Sequence, residues 1–96
     1  MILPIKKKWY DMILSGEKKE EYRKISPYYT TRFRNLWGDE FDKCSEVKKE
    51  IFLRNGYSSK SPTSKVIVTL SVGSGNTNWG AVEGETYYVL RVHEVT

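Results

Sequence analysis

Three charged residues that lie close together in the chain, Lys18, Glu21 and Arg23, are the first candidates for chemistry. A lysine beside a carboxylate can exchange a proton with it, and a lysine whose pKa is lowered by burial can act as a base or a nucleophile. Lysine and arginine side chains also bind phosphate groups. These residue types therefore allow either a hydrolytic site or a site that holds an anion.

The spacing of these residues leaves two interpretations open. On a strand over residues 18–25, Glu21 and Arg23 share one face, with Cα atoms about 6–7 Å apart, and could pair. An inward pair requires a polar cavity, because buried charges must be paired or hydrogen-bonded. An outward pair is a surface ion pair worth at most about 1 kcal/mol, and spacing alone favours it. Lys18 follows Gly16, and a turn there would aim the lysine across the mouth of a cleft.

Positive charge is concentrated in the first third of the chain. Residues 1–35 hold nine Lys or Arg against four Asp or Glu, whereas residues 36–96 hold seven against eight. A one-sided basic surface attracts phosphate-bearing partners, so we expect RNA, a nucleotide or a nucleoside as the ligand. Lys6, Lys7 and Lys8 are candidate contacts for it. The alternative is a solvated surface that happens to be rich in lysine.

The glycine-rich segment "GNTNWG" places Trp79 between polar residues. An aromatic side chain in such a loop can stack on a nucleobase, and the alternative is a tryptophan folded back as a lid on one end of a barrel. The longer segment "GSGNTNWG" is not a phosphate-binding loop, because it lacks the Gly-Lys-Ser/Thr ending and a following helix. His93 alternates with valines on the last predicted strand, which indicates a structural role.

Length and composition limit the class of protein. The 96 residues predict a single domain over 1–96, and no apolar run approaches the roughly 20 residues that span a bilayer. The lysines follow the apolar "MILPI" instead of preceding it, so we expect no signal peptide, no membrane partner and a cytoplasmic protein. A single cysteine, Cys44, predicts a free thiol, and the absence of metal-ligand spacing predicts no zinc, no other metal and no cofactor.

Short helices and strands must position the candidate residues. The spacing of Trp9, Met12 and Ile13 predicts a helix from about Lys7 to Ser15, and the charged strand follows Gly16. A second helix begins at Pro27, and later strands lie in the segments "VKKEIFLRNGY", "KVIVTLSVGSG" and "ETYYVLRVHEV". This order predicts an α+β fold in which a small mixed sheet curls into a barrel, with about two short helices packed on it.

The segment "LPIKKKWYDMILSGEKKEEYRK" resembles the opening of the ASCH family, whose fold is a PUA-like β-barrel. The resemblance rests on Trp9, Ile13 and the pattern G-x-K-x-x-E-x-R, which is met by Gly16, Lys18, Glu21 and Arg23. The segments "RNGYSSKSPT" and "WGAVEGETYYVL" are also similar to small bacterial and phage ASCH proteins. The resemblance therefore covers nearly the whole chain.

The resemblance implies that the lysine, the glutamate and the arginine line a cleft, which favours the inward interpretation of Glu21 and Arg23. One branch of the family hydrolyses the amide of N4-acetylcytidine with the lysine as nucleophile. That branch has threonine in place of Glu21 and uses a later glutamate, for which Glu83 and Glu85 are the nearest candidates here. Another branch cuts RNA.

Three functions follow from these observations. The first is an RNA- or nucleotide-binding module. The second is a hydrolase acting on a modified nucleoside or on RNA, with Lys18 and Glu21 as the catalytic pair. The third is a regulatory protein whose basic face meets an acidic partner. Turnover or its absence separates the second from the others.

Overall fold

The computed structural model describes all residues, 1–96. Two strands and two α-helices alternate along the first 37 residues, and the other three strands follow. In chain order they are β1 (Ile2–Ile5), α1 (Lys7–Leu14), β2 (Glu20–Lys24), α2 (Pro27–Trp37), β3 (Lys49–Asn55), β4 (Thr63–Gly73) and β5 (Tyr87–Val95). Two 3₁₀ turns, Gly38–Lys43 and Thr77–Trp79, lie between them. None of the helices is long and apolar enough to cross a membrane.

The strands form one curled sheet in the order β1-β3-β4-β5-β2. Strand β1 pairs with β3 in parallel, and the other three pairings are antiparallel, so the sheet is mixed. The result is a half-barrel with two helices, which confirms the α+β class and the curled mixed sheet. Strands β1 and β2 are the two edges, and the seam between these edges is where the half-barrel stays open.

Local chemistry accounts for the end of α1 and for the beginning of α2. The α1 helix ends at Leu14, one residue before the predicted end, and Gly16 reverses the chain with a φ of +85° that favours glycine. The α2 helix begins at Pro27 after Ser26, whose hydroxyl accepts a hydrogen bond from the Tyr29 N–H at 3.3 Å. Their buried faces anchor them to the sheet, with Ile13 on one and Phe33 on the other.

Strand β1 is an element that the sequence pattern did not predict. It has only four residues and contains a proline. Edge strands tolerate proline, because the outer side of an edge strand makes no main-chain hydrogen bonds to another strand. Each residue of β1 pairs with a residue of β3 that lies 50 positions further along the chain, as Ile2 does with Phe52. The pairing is therefore a tertiary effect that no local pattern signals, and it supplies one wall of the open seam.

The apolar interior has two parts. The larger one has 13 buried residues from both helices and all strands except β2, including Phe33 and Trp37 of α2, whose indole N–H donates to the Val47 carbonyl at 2.8 Å. The smaller one consists of Tyr22, Ala81, Tyr87 and Val89, with Trp79 partly buried against it. This smaller cluster lies beside the seam and supports the candidate site.

Gly75 is the tightest point of that smaller cluster. A Cβ atom there would lie 2.6 Å from Ala81 Cβ and 2.8 Å from the Tyr22 ring, whereas a Cβ at Gly73 would meet nothing within 4 Å. We expect Gly75→Ala to lower the free energy of unfolding by about 1–3 kcal/mol, the usual cost of overpacking. Urea unfolding of both variants tests this, and equal midpoints for Gly75→Ala and Gly73→Ala would contradict it.

Candidate functional site

A large cleft lies at the seam between β1 and β2, with a volume of about 770 Å³. Its walls are unusually aromatic. Seven aromatic side chains line it: Trp9, Tyr22, Tyr28, Tyr29, Tyr57, Trp79 and Tyr87. Four charged side chains also line it: Lys6, Glu21, Arg23 and Lys24. These residues come from α1, β2, α2, β5 and the connections between elements, so the cleft exists only in the folded chain.

Lys18 lies beneath this cleft and does not open onto it. Its side chain has no exposed surface, and its ammonium nitrogen donates a hydrogen bond to Glu21 Oε1. The rings of Trp9 and Tyr22 cover it, with centroids 4.9 and 5.7 Å from Nζ. The prediction that Lys18 reaches across the mouth of the cleft is therefore wrong. The Gly16 turn instead sends the side chain inward.

The strand parity predicted for Lys18 is also wrong. On a strand over residues 18–25, Lys18 and Glu21 would point to opposite faces. The strand begins only at Glu20, so the alternation does not extend to Lys18. Its main-chain N–H instead donates to Met12 O at 2.9 Å, closing the turn after α1 and directing the side chain towards Glu21. Lys19, the next residue, is exposed.

Burial lowers the pKa of Lys18, and the neighbouring Glu21 carboxylate opposes that shift. A lysine with a lowered pKa that is hydrogen-bonded to a carboxylate has the electrostatics of a proton-transfer pair. The same electrostatics arise in a purely structural buried pair. Because the Lys18 side chain has no exposed surface, a substrate carbonyl reaches Nζ only after some of the residues that cover it move.

The two carboxylate oxygens of Glu21 differ in their hydrogen bonding. Oε1 accepts from Lys18 and from the Tyr22 main-chain N–H at 3.3 Å. Oε2 is buried and accepts no hydrogen bond from the protein. Arg23 Nη1 lies 3.6 Å from Oε2, which is too far for a hydrogen bond. Glu21 thus carries one satisfied oxygen and one unsatisfied oxygen in the wall of the cleft.

Arg23 ties the two edges of the half-barrel together. Its Nη1 donates to Tyr22 O and its Nη2 to Pro4 O, both at 2.7 Å, so the guanidinium spans from β2 to β1. The Tyr22 N–H and carbonyl on this edge are thus satisfied by the side chains of Glu21 and Arg23 instead of by a neighbouring strand. These hydrogen bonds occupy main-chain groups that an edge strand would otherwise leave open to another strand. The inward interpretation of Glu21 and Arg23 is confirmed, since both line the cleft.

Tyr22 connects the cleft to the loop that carries Trp79. Its hydroxyl donates to Glu20 Oε1 and accepts from the Asn76 N–H, both at 2.8 Å. The Tyr87 hydroxyl accepts from the Val82 N–H at 2.9 Å on the far side of the same loop. Two tyrosines therefore fix both ends of the loop, and Trp79 lines the cleft between them.

The alkaline titration of Tyr22 should report this network. Burial raises the pKa of Tyr22 to about 12, the Asn76 N–H opposes the shift, and the Glu20 carboxylate adds to it. The pKa of Tyr22 in the folded protein exceeds the ordinary value of 10.0. The contribution of the protonated Tyr22 hydroxyl to the free energy of unfolding is therefore complete below pH 10 and is lost as the pH rises through 12. In an ultraviolet titration, we expect a phenolate component near pH 12 that is missing from Tyr22→Phe. Identical titration curves for the two proteins would contradict this assignment.

The remaining predicted site residues lie at different places. Lys6 lines the cleft, and Lys8 is exposed with its ammonium 4.7 Å from the Trp9 ring centroid. Lys7 points away from the cleft and pairs with Asp11 at 2.6 Å. Of the three lysines, only Lys6 belongs to the cleft wall.

The candidates for a later glutamate are not supported. Glu83 and Glu85 are exposed in the connection before β5, and neither lines the cleft. His93 lies on the opposite side of the sheet from the large core and shares a hydrogen bond of 2.9 Å with Thr69. No three His, Cys, Asp or Glu side chains come together in a way that could hold a metal ion.

Five tyrosines and Lys24 belong to the cleft but were not predicted as site residues. The tyrosines come from four separate segments, namely β2, α2, the connection between β3 and β4, and β5. The only signal in the sequence was the number of tyrosines, seven in 96 residues, against three phenylalanines. Tyrosine combines a stacking face with a hydroxyl that tolerates water, so such an excess is typical of binding surfaces.

Comparisons with protein-family models, with curated proteins and with solved structures find no match to this chain. The features of the chain that point to a function are therefore the residues and geometry of the cleft and the pattern formed by Gly16, Lys18, Glu21 and Arg23.

Proposed function

We propose that this protein is a small ASCH-type, PUA-like domain that binds RNA or a nucleotide, with a base held in the cleft at the seam. The observation that carries the proposal is the convergence of seven aromatic rings and a cationic rim in one cleft. Two residues of the G-x-K-x-x-E-x-R pattern support it, because the family resemblance implies that the pattern marks a ligand-binding cleft, and Glu21 and Arg23 line this one.

The aromatic lining suits a planar ligand. Tyr28 and Tyr57 line the cleft while leaving 61% and 79% of their surfaces exposed, although large aromatic side chains are usually buried. Exposed rings at the rim of a concave site are available to stack on a base, and each such stack contributes about 1–3 kcal/mol. Trp79, held in its loop by the tyrosine network, offers a further stacking surface.

The charges of the lining suit an anion attached to that planar group. Lys6, Arg23 and Lys24 contribute three positive charges against the single carboxylate of Glu21. Arg23 is held by two main-chain carbonyls, so Lys6 and Lys24, which are both exposed, are the free cations. A nucleotide that stacks in the cleft would have its phosphate near these two lysines.

Hydrolysis is the second candidate function, and the buried Lys18–Glu21 pair favours it. The complete burial of Lys18 opposes it, because a nucleophile must reach the carbonyl that it attacks. Assaying N4-acetylcytidine and short RNAs for turnover separates the two. Product formation that depends on Lys18 would support the hydrolase, and binding without product supports the module.

Salt dependence tests the binding proposal. We expect the affinity for a labelled eight-nucleotide single-stranded RNA, measured by fluorescence anisotropy, to fall steeply from about 50 to 200 mM salt, because bound phosphates release counterions. Lys6→Ser and Lys24→Ser should each reduce the slope of log affinity against log salt by about 0.7. Lys43→Ser is the control, since Lys43 is exposed and lies outside the cleft. Salt-independent binding, or equal effects of all three substitutions, would contradict the proposal.

A further inference from the structure

We propose that the cleft takes its ligand base-first, with a ring N–H or exocyclic amino group donating a hydrogen bond to Glu21 Oε2. This inference rests on the proposed nucleotide-binding function and deepens it, because it assigns which part of the ligand enters and which protein atom recognises it. The ligand class is a nucleobase with an unblocked N–H donor, and its phosphate remains at the rim.

The unsatisfied carboxylate oxygen is the observation that carries the inference. Only two buried side-chain polar atoms in the protein lack a hydrogen-bond partner, and one of them, Glu21 Oε2, belongs to a residue that lines the cleft. A buried acceptor without a donor is costly, and native proteins keep few of them. Only 6% of the Glu21 side chain is exposed, so it is held in place by its surroundings. A ligand that supplies a donor removes this cost.

The neighbours of Oε2 determine what kind of group can satisfy it. Lys18 and the Tyr22 N–H are both committed to the other oxygen, Oε1, and Arg23 is committed to two carbonyls. None of these groups donates to Oε2 in this arrangement, so the protein leaves that oxygen without a donor. Oε2 is covered by its neighbours, so the ligand donor must displace part of that cover while Arg23 stays anchored.

A phosphate cannot take the place of the base at this position. Its oxygens carry negative charge and would lie against a carboxylate oxygen, which is repulsive in a poorly solvated wall. The free cations Lys6 and Lys24 line the cleft and are exposed. Charge thus orders the ligand along the cleft, with the N–H edge of the base at Glu21 and the phosphate at the lysines.

Substituting Glu21 by glutamine should reverse the hydrogen-bonding preference at this position, from a ligand donor to a ligand acceptor. In Glu21→Gln, the amide oxygen takes the place of Oε1, because Lys18 and the Tyr22 N–H both need an acceptor there. The amide NH₂ then takes the place of Oε2 and presents a donor to the cleft. The variant has nearly the same shape as the wild type but offers the opposite hydrogen-bonding character.

The test compares nucleotides whose donor is blocked with nucleotides that carry a methyl group elsewhere. The probes are UMP, 3-methyl-UMP and 5-methyl-UMP, together with AMP, N6,N6-dimethyl-AMP and 2-methyl-AMP, measured by isothermal titration calorimetry on the wild-type protein. We expect the donor-blocked analogue of the base that binds to lose at least tenfold in affinity. The control analogue, whose methyl group leaves the N–H free, should stay within about threefold. In folded Glu21→Gln, this difference between analogues should disappear.

Each outcome decides between distinct claims. Equal losses for blocked and control analogues on the wild type would overturn the role of Glu21 Oε2 while leaving nucleotide binding intact. Failure of every nucleotide and of single-stranded RNA to bind would overturn the proposed function and this inference together. If Glu21→Gln does not fold, the analogue pairs on the wild-type protein still decide the question.

Discussion

Replacing Lys18 by methionine should lower the free energy of unfolding by about 3–5 kcal/mol, the usual cost of removing one partner of a buried ion pair. Glu21 would keep its buried carboxylate, and the only remaining cation nearby, Arg23 Nη1, stands 3.6 Å from Oε2. For a domain of this size, such a loss is a large fraction of the total stability. Urea unfolding followed by circular dichroism measures it.

Two controls isolate the pair from a general effect of charge. Lys19→Met removes the neighbouring, exposed lysine and should change the free energy of unfolding by no more than about 0.5 kcal/mol. The double variant Lys18→Met/Glu21→Leu removes both charges and should recover most of the lost stability, because it leaves no buried ion unpaired. Equal losses for Lys18→Met and Lys19→Met would show that the buried pair does not stabilise this fold.

Replacing Trp79 by alanine should weaken binding of single-stranded RNA by tenfold or more, since one base–aromatic stack contributes about 1–3 kcal/mol. Trp79 lies in a 3₁₀ turn and is only partly buried, so the fold should persist. Anisotropy titration at fixed salt gives the affinity, and thermal melting confirms that the variant is folded.

Phe52→Ala is the matched control for this substitution. Phe52 is an aromatic residue on β3 that is 38% exposed and lies outside the cleft. Its removal should change RNA affinity by less than about twofold, well below the loss of a single stack. If Trp79→Ala and Phe52→Ala reduce the affinity equally, the aromatic cleft is not where RNA binds.

The parts of the fold that were predicted correctly are those with local signals. The α2 helix begins at the predicted Pro27, because serine and proline fix its first turn. Strands β4 and β5 lie within two residues of the predicted segments, since β-branched and aromatic residues dominate both. Strand β1 was missed because its partner is distant in sequence and its own four residues show no alternation of apolar and polar side chains.

The candidate site was predictable only in part, and for the same reason. Strand alternation placed Glu21 and Arg23 together, and both line the cleft. Lys18 was misplaced because a turn, and not a strand, positions it. The edge-capping role of Arg23 depends on Pro4 of β1, and the tyrosines converge from separate elements. Such convergence is a property of tertiary structure, so local patterns could not signal it.

The three tryptophans provide the most direct test of the claim that the seam cleft binds a nucleobase. Trp9 and Trp79 line the cleft, whereas Trp37 is buried in the core with its indole N–H bound to Val47 O. In ¹⁵N-edited NMR spectra recorded during a titration with single-stranded RNA, we expect the indole signals of Trp9 and Trp79 to shift while that of Trp37 stays fixed. Binding that leaves the Trp9 and Trp79 signals unmoved would contradict the account.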